Sequence, residues 1–292
     1  MSHLLNNRIE KKFYELKLKK QKGLICYVMG GYPDLKTNEK IISSIIDGGA
    51  DILEIGIPFS DPIADGPIIQ EASFRALQNG INPDICLNLI RKTRNSYPDI
   101  PILIMTYSNI LQKKGFKKFM ETAKDAGTDG FILPDMTIEE SKEYLEYSKK
   151  LELASVFLVA PNTSNYRIKK TLDVSTGFVY VVSVYGTTGL RNSINKYTLN
   201  AIKNIKKLSS NRSNISVGFG ISTPDHIKLM SNLGADAVIV GSAIIQIINN
   251  NKDNNIHQLQ IRLKNYVKTL KDACYYRSVS YTHLTLPTIY SV

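Results

Sequence analysis

The first group able to do chemistry is Glu54, set in the run DILEIGIPF at 51–59. Strand alternation places Ile52, Glu54 and Gly56 on one face and Leu53, Ile55 and Ile57 on the other. The carboxyl is therefore flanked by apolar groups whichever way the strand turns. An unpaired carboxylate is costly to bury, and burial lifts its pKa until it keeps its proton. A carboxyl lifted in this way is what a general acid/base near neutral pH requires. A structural glutamate held by backbone or hydroxyl groups is the plainer alternative. The next segment, FSDPIADGPIIQ at 59–70, carries Asp61 and Asp65 among prolines and a glycine. Prolines stiffen a loop and can hold a side chain over a site. Asp-Pro and Asp-Gly pairs are also ordinary turn formers, so both readings of Asp65 stay open.

Two glycine-rich segments, VGFGIST at 217–223 and VGSAI at 240–244, each close a β-branched run. Backbone N–H groups at such turns bind phosphate, which makes Gly220, Gly241 and Ser242 the natural donors. Tight turns that merely need glycine are the alternative. The segment VYGTTGLRNSI at 184–194 reads as a lid or a mobile loop. No strand candidate contains a lysine or a histidine, which disfavours Schiff-base chemistry. No carboxylate–histidine cluster suits a divalent metal, so no metal site is expected. What remains is acid/base work by carboxylates on a phosphorylated substrate.

These residues need a frame to bring them together. Strand candidates fall at 23–29, 51–57, 100–107, 129–134, 154–160, 177–184, 215–219 and 236–241. Helix candidates fall between and after them, at 37–48, 83–96, 115–126, 138–150, 165–173, 196–209, 223–233 and 256–273. Several strands are apolar throughout, as parallel strands covered on both faces should be. Similar punctuation recurs as GGAD at 48–51, AGTD at 126–129 and LGAD at 233–236, a glycine closing a helix and an aspartate opening a strand. Eight βα units predict an α/β fold, a (β/α)8 TIM barrel, with an open doubly wound sheet as the alternative. No G-x-G-x-x-G follows the first strand, so a dinucleotide fold gains nothing. An additional N-terminal helix over 4–19 is able to plug the N-terminal end of the barrel. Residues 1–276 read as one catalytic domain, and 277–292 as an atypical tail, flexible or artefactual.

Composition narrows the classes further. Of 292 residues, 43% are hydrophobic and 22% charged, which excludes wholesale disorder. No run is long enough to span a membrane, and no secretory signal is read at the start. The net charge of +11 reads either as a polyanion partner or as a solvated lysine surface. The absence of stacking aromatics and nucleic-acid motifs favours the surface. Cys26, Cys86 and Cys274 are far apart and odd in number, which fits a reducing compartment, cytoplasm or plastid stroma.

LEIGIPFSDPIADGPIIQ at 53–70 resembles the signature segment of the tryptophan synthase alpha chain family. The resemblance extends through MTYSN at 105–109, GTTG at 186–189, VGFGIS at 217–222 and VGSAI at 240–244, and covers roughly residues 4–273. It implies a lyase that cleaves indole-3-glycerol phosphate to indole and glyceraldehyde 3-phosphate in tryptophan biosynthesis. On that resemblance Glu54 is the acid/base and Asp65 the counter-charge that accepts the indole N–H. Tyr180 and Tyr107 match pocket tyrosines, and Thr188 of the lid reaches Asp65 on closure. Gly189 joins Gly220, Gly241 and Ser242 around the phosphate. Tyr27, Met105, Ile132 and Leu158 are expected in the apolar slot for indole. Pro134 departs from the family's usual small residue in the pocket wall. The resemblance further implies a heterotetramer of two alpha and two beta chains, with pyridoxal phosphate on the beta chain only and Asp61 at the interface. Three rivals stand beside this reading: a related phosphate-binding barrel enzyme, a silent alpha-like subunit, and a basic nucleic-acid binder.

Overall fold

The computed structural model describes residues 7–182, 196–210, 212–218, 220–251 and 255–275. Its strands are β1 (Gly23–Met29), β2 (Ile52–Gly56), β3 (Ile102–Met105), β4 (Gly130–Ile132), β5 (Ala154–Val156), β6 (Leu158–Val159), β7 (Val179–Val182), β8 (Ile215–Gly218) and β9 (Ala237–Val240). They run parallel in the order β5-β4-β3-β2-β1-β9-β8-β7-β6. β5 and β6 are one extended segment broken at Phe157. The first half pairs with β4 and the second with β7. Tyr180 N donates to Phe157 O across the break at 3.0 Å. The sheet therefore closes on itself as a (β/α)8 barrel, the architecture predicted.

Register decides which side chains face inward. Tyr27 lies beside Glu54, Glu54 beside Leu103, and Leu103 beside Gly130. Gly56, Met105 and Ile132 form the next inward row. Leu158, Tyr180, Ser216 and Ala237 continue the same facing on the other side. The outward residues of these strands are covered by helices, so the strands are buried on both faces.

The predicted helices at 83–96, 196–209 and 256–273 are observed as Pro83–Ser96, Lys196–Ser209 and Ile256–Ala273. The expected run at 138–150 starts later, at Lys142, after a turn centred on Ser141. Three helices were not expected: Pro67–Gln78, Ser108–Lys114 and Ser242–Asn249. The first begins inside the proline- and glycine-rich loop, where Pro67 occupies the first turn. The last, SAIIQIIN, buries Ile244, Ile245 and Ile248 on one face and exposes Gln246, a pattern too short at eight residues to separate from the strand that precedes it.

The N-terminal helix is observed as Arg8–Leu18, with Ile9, Phe13 and Leu16 buried. Phe13 packs its ring 5.8 Å from that of Phe178, just before β7. Arg8 pairs with Asp129 at 2.9 Å, just before β4. The helix thus covers the N-terminal mouth and leaves the opposite mouth for chemistry.

The three aspartates of the repeated punctuation share one geometry. Asp51 accepts from Leu24 N at 2.7 Å, Asp129 from Ile102 N at 2.8 Å, and Asp236 from Ile215 N at 2.9 Å. Each bond ties the start of one strand to the start of its neighbour. Each carboxylate also pairs with a cation on a surrounding helix: Lys271 at 2.6 Å, Arg94 at 2.7 Å and Lys206 at 2.9 Å. The glycine two residues earlier has positive φ in every case. A Cβ there would press on the stem of that same cation, at 3.0 Å for Gly49, 2.6 Å for Gly127 and 3.2 Å for Gly234.

Candidate active site

β2 delivers Glu54 to the barrel interior, where its side chain is buried. Oε2 has no hydrogen-bond partner, so nothing compensates the lost hydration. Burial, with the nearby Asp65 carboxyl second, pushes the Glu54 pKa up to about 8. At neutral pH the group is mainly a protonated acid.

Asp65 stands on the loop after β2, half-buried. Burial pushes its pKa up to about 6, and a hydrogen bond from Tyr107 opposes the rise. The Tyr107 hydroxyl donates to Asp65 Oδ2 at 3.1 Å and accepts from Ala64 N at 3.0 Å. One phenol therefore fixes both the loop backbone and its carboxylate. Tyr107 is itself fixed from two sides. Its ring stacks on Phe59 at 5.0 Å. The next residue, Ser108, is held by Asp135, which accepts from Ser108 N at 3.0 Å and from Ser108 Oγ at 2.6 Å.

Glu54 and Asp65 open on one cavity of about 690 Å³ at the C-terminal end of the strands. Tyr27, Met105, Tyr180, Gly220, Gly241 and Ser242 line the same cavity. The residues expected to bind acid/base chemistry, ring and phosphate are thus gathered around one space. Gly241 precedes the helix Ser242–Asn249, whose first N–H groups are the unsatisfied donors that a phosphate suits. A larger cavity of about 850 Å³ lies at the opposite mouth, lined by Glu10, Phe13, Lys17 and Asn214 among others. It faces the end of the barrel where this fold keeps stability rather than catalysis.

Some expected residues stand elsewhere. Ile132 and Leu158 face inward by register, beside Met105 and Tyr180, yet neither is part of the cavity wall. Ile132 has no exposed surface to offer it. Pro134 is likewise not in the wall; it precedes Asp135, whose carboxylate holds Ser108. Tyr107 acts on the site through Asp65 rather than by lining it. Asp61 is exposed on the outer part of the loop. Thr188 and Gly189 lie outside the described residues, as does the 277–292 tail. The wall also includes Ile68, Ile69, Val182 and Ile239, which were not singled out from the sequence. Val182 and Ile239 were reachable by strand parity, two positions from Tyr180 and Gly241.

Among the described residues no group of three His, Cys, Asp or Glu side chains gathers as a metal set. No helix among them is long and apolar enough to cross a membrane. Fold and site define a class: a (β/α)8 barrel enzyme with two lifted carboxyls opposite a glycine turn and a helix N-terminus suited to phosphate. The profile of the tryptophan synthase alpha chain family matches residues 13–275. The tryptophan synthase alpha chain of Methanocaldococcus jannaschii is 44% identical over 85% of this chain and 87% of its own. That of Aquifex aeolicus is 42% identical over 88% of this chain and 97% of its own. The solved alpha subunit from Legionella pneumophila superposes with a TM-score of 0.81 at 32% identity, covering 92% of this chain and 98% of that one. A chain of the Pyrococcus furiosus tryptophan synthase complex gives 0.78 at 35% identity, covering 86% and 98%. The chain belongs to the tryptophan synthase alpha chain family. It is a carbon–carbon lyase acting on indole-3-glycerol phosphate in tryptophan biosynthesis.

Proposed function

We propose that Glu54 and Asp65 divide the cleavage between them. The substrate phosphate sits at Gly220, Gly241 and Ser242, with Gly189 as a further donor. Tyr27, Met105 and Tyr180 surround the ring, with Ile132 and Leu158 supporting them from the neighbouring strands. Glu54 gives its proton to the ring carbon that carries the glycerol unit. Asp65, mainly ionised at neutral pH, accepts the ring N–H and balances the positive charge that protonation creates. The Glu54 carboxylate then takes the proton of the hydroxyl beside the breaking bond. A carbon–oxygen double bond forms, the carbon–carbon pair returns to the ring, and glyceraldehyde 3-phosphate and indole leave. Glu54 ends protonated, as it began. Tyr107 is a positioning residue for Asp65, and Thr188 bears on Asp65 from the lid.

The observation that carries this reading is the buried, unpartnered Glu54 carboxyl on the same cavity as Asp65. The test is indole release from indole-3-glycerol phosphate by the native chain and by Glu54→Gln. A loss of at least a hundredfold in kcat is expected, since both proton transfers use this group. Turnover within a few-fold of native would remove Glu54 from the role.

The proposal extends to the assembly. The chain works with a beta chain, as two alpha and two beta subunits. The Pyrococcus furiosus relative was solved as a tryptophan synthase complex. Asp61 belongs to that interface, where Ile63 and Phe74 on the same loop and the following helix are 81% and 60% exposed. Pyridoxal phosphate belongs to the beta chain, and this chain uses no cofactor of its own. Its location is the cytoplasm or plastid stroma, in keeping with three free, buried cysteines.

A further inference from the structure

Tyr27 carries a hydroxyl that the scheme above leaves unused. The residue is 5% exposed and its ring lies in the cavity wall. Its hydroxyl has one hydrogen-bond partner, the Met29 thioether at 3.9 Å. A thioether is a weak acceptor, so this buried phenol is close to unpaired. Buried polar groups are ordinarily satisfied, and one left open in a cavity wall points to a ligand.

The ring also has a definite direction. A Cβ added at Gly241 would meet Tyr27 Cβ at 3.2 Å, so the base of the side chain lies against the glycine turn. A Cβ added at Gly56 would collide with the Tyr27 hydroxyl, so the tip lies over β2, two residues beyond Glu54. Tyr27 therefore spans the wall from the phosphate end to the carboxyl end. Tyr180 repeats the device across the barrel, its hydroxyl over Gly218. Burial, then the charges of Asp65 and Glu54, push the Tyr27 pKa well above its ordinary value. The phenol keeps its proton and serves as a donor.

We propose that the Tyr27 hydroxyl donates a hydrogen bond to the glycerol oxygen beside the carbon–carbon bond that breaks. This rests on the cleavage proposed above. In that scheme the ring N–H already has an acceptor in Asp65. The glycerol oxygen loses its proton to Glu54 and gathers negative charge, and it has no donor. A preorganised donor at such an oxygen acts mainly in the transition state.

The test is Tyr27→Phe, which removes the oxygen and keeps the ring. Indole release should fall about 10- to 100-fold in kcat with KM within about twofold, the scale of one lost bond to a charged oxygen. The thermal midpoint should stay the same or rise, because an under-satisfied buried hydroxyl is gone. Calorimetric binding of glyceraldehyde 3-phosphate should weaken, and binding of indole should not. Native kcat in the variant, a lowered midpoint with equal losses in kcat and binding, or weakened indole binding alone would each overturn the assignment. A native chain that releases no indole would instead refute the proposed cleavage, and the two binding measurements would still judge Tyr27.

Discussion

Glu54 and Asp65 are two carboxyls near one cavity whose surroundings separate them. Glu54 has no partner at Oε2, whereas Asp65 keeps the Tyr107 hydroxyl at 3.1 Å. The result is pKa values of about 8 and about 6. The proposed roles need Glu54 protonated and Asp65 ionised. kcat/KM should therefore rise as Asp65 loses its proton near pH 6 and fall as Glu54 loses its proton near pH 8. The optimum should lie between these limbs. The Tyr107 bond favours the ionised Asp65, so removing it raises that pKa. In Tyr107→Phe the acid limb should move toward neutral pH while the alkaline limb stays in place. Profiles of indole release against pH for the two proteins check this, and an unmoved acid limb would detach Tyr107 from Asp65. This division was half legible in the sequence. An acid among apolar neighbours marked Glu54, but nothing local showed that Tyr107, 42 positions along the chain, restrains Asp65.

At the scale of elements, the Gly-x-Asp device stitches the N-terminal ends of β1 to β2, β3 to β4 and β8 to β9. Its three copies differ in burial, and burial decides their worth. The Asp129 side chain is 4% exposed and its partner Arg94 12%, whereas Asp236 and Lys206 are each 25% exposed. Asp129 also accepts from Arg8, which ties in the N-terminal helix. Breaking a buried pair leaves an uncompensated charge at a cost of about 3–5 kcal/mol, while a solvent-screened pair is worth ~1 kcal/mol or less. Asp129→Asn should therefore lower the thermal midpoint by about 5–15 °C and Asp236→Asn by only a few degrees. Melting curves of both variants check the order, and a reversed order would refute the burial argument. The sequence exposed this repeat as punctuation without its partners, because Arg94 and Lys206 look like any other helix cations. It exposed the strands well, since β-branched runs such as ISVGF have one comfortable conformation. It hid the helix Ser242–Asn249 because two turns directly after an apolar strand are too short to show a period of their own. Strand parity told which residues face inward but not which of them meet open space, so Ile132 and Met105 share one inward row while only Met105 lines the cavity.

For the whole molecule, the two mouths of the barrel have different work. The N-terminal mouth is closed by the helix Arg8–Leu18 and the aspartate stitches. The C-terminal mouth carries the carboxyls, the glycine turn and the exposed apolar residues Ile63 and Phe74. A contiguous exposed apolar patch beside a site marks a surface that a partner covers, and the proposed interface takes Ile63 and Phe74 as its apolar anchors. Phe74 sits on the helix Pro67–Gln78, whose first turn lines the cavity. A partner seated there would press on the helix that follows Asp65, a direct route from docking to the loop carboxylate. Aromatic anchors of this kind commonly hold about 1–3 kcal/mol of an interface. On the assembly proposed above, Phe74→Ala should weaken beta-chain binding about 5- to 100-fold, while the isolated chain keeps its own cleavage rate because Phe74 is not part of the cavity wall. Titration of the beta chain against indole release reads both at once. Unchanged beta-chain affinity would place the partner on another face, and the apolar pair beside Asp61 would need a different occupant.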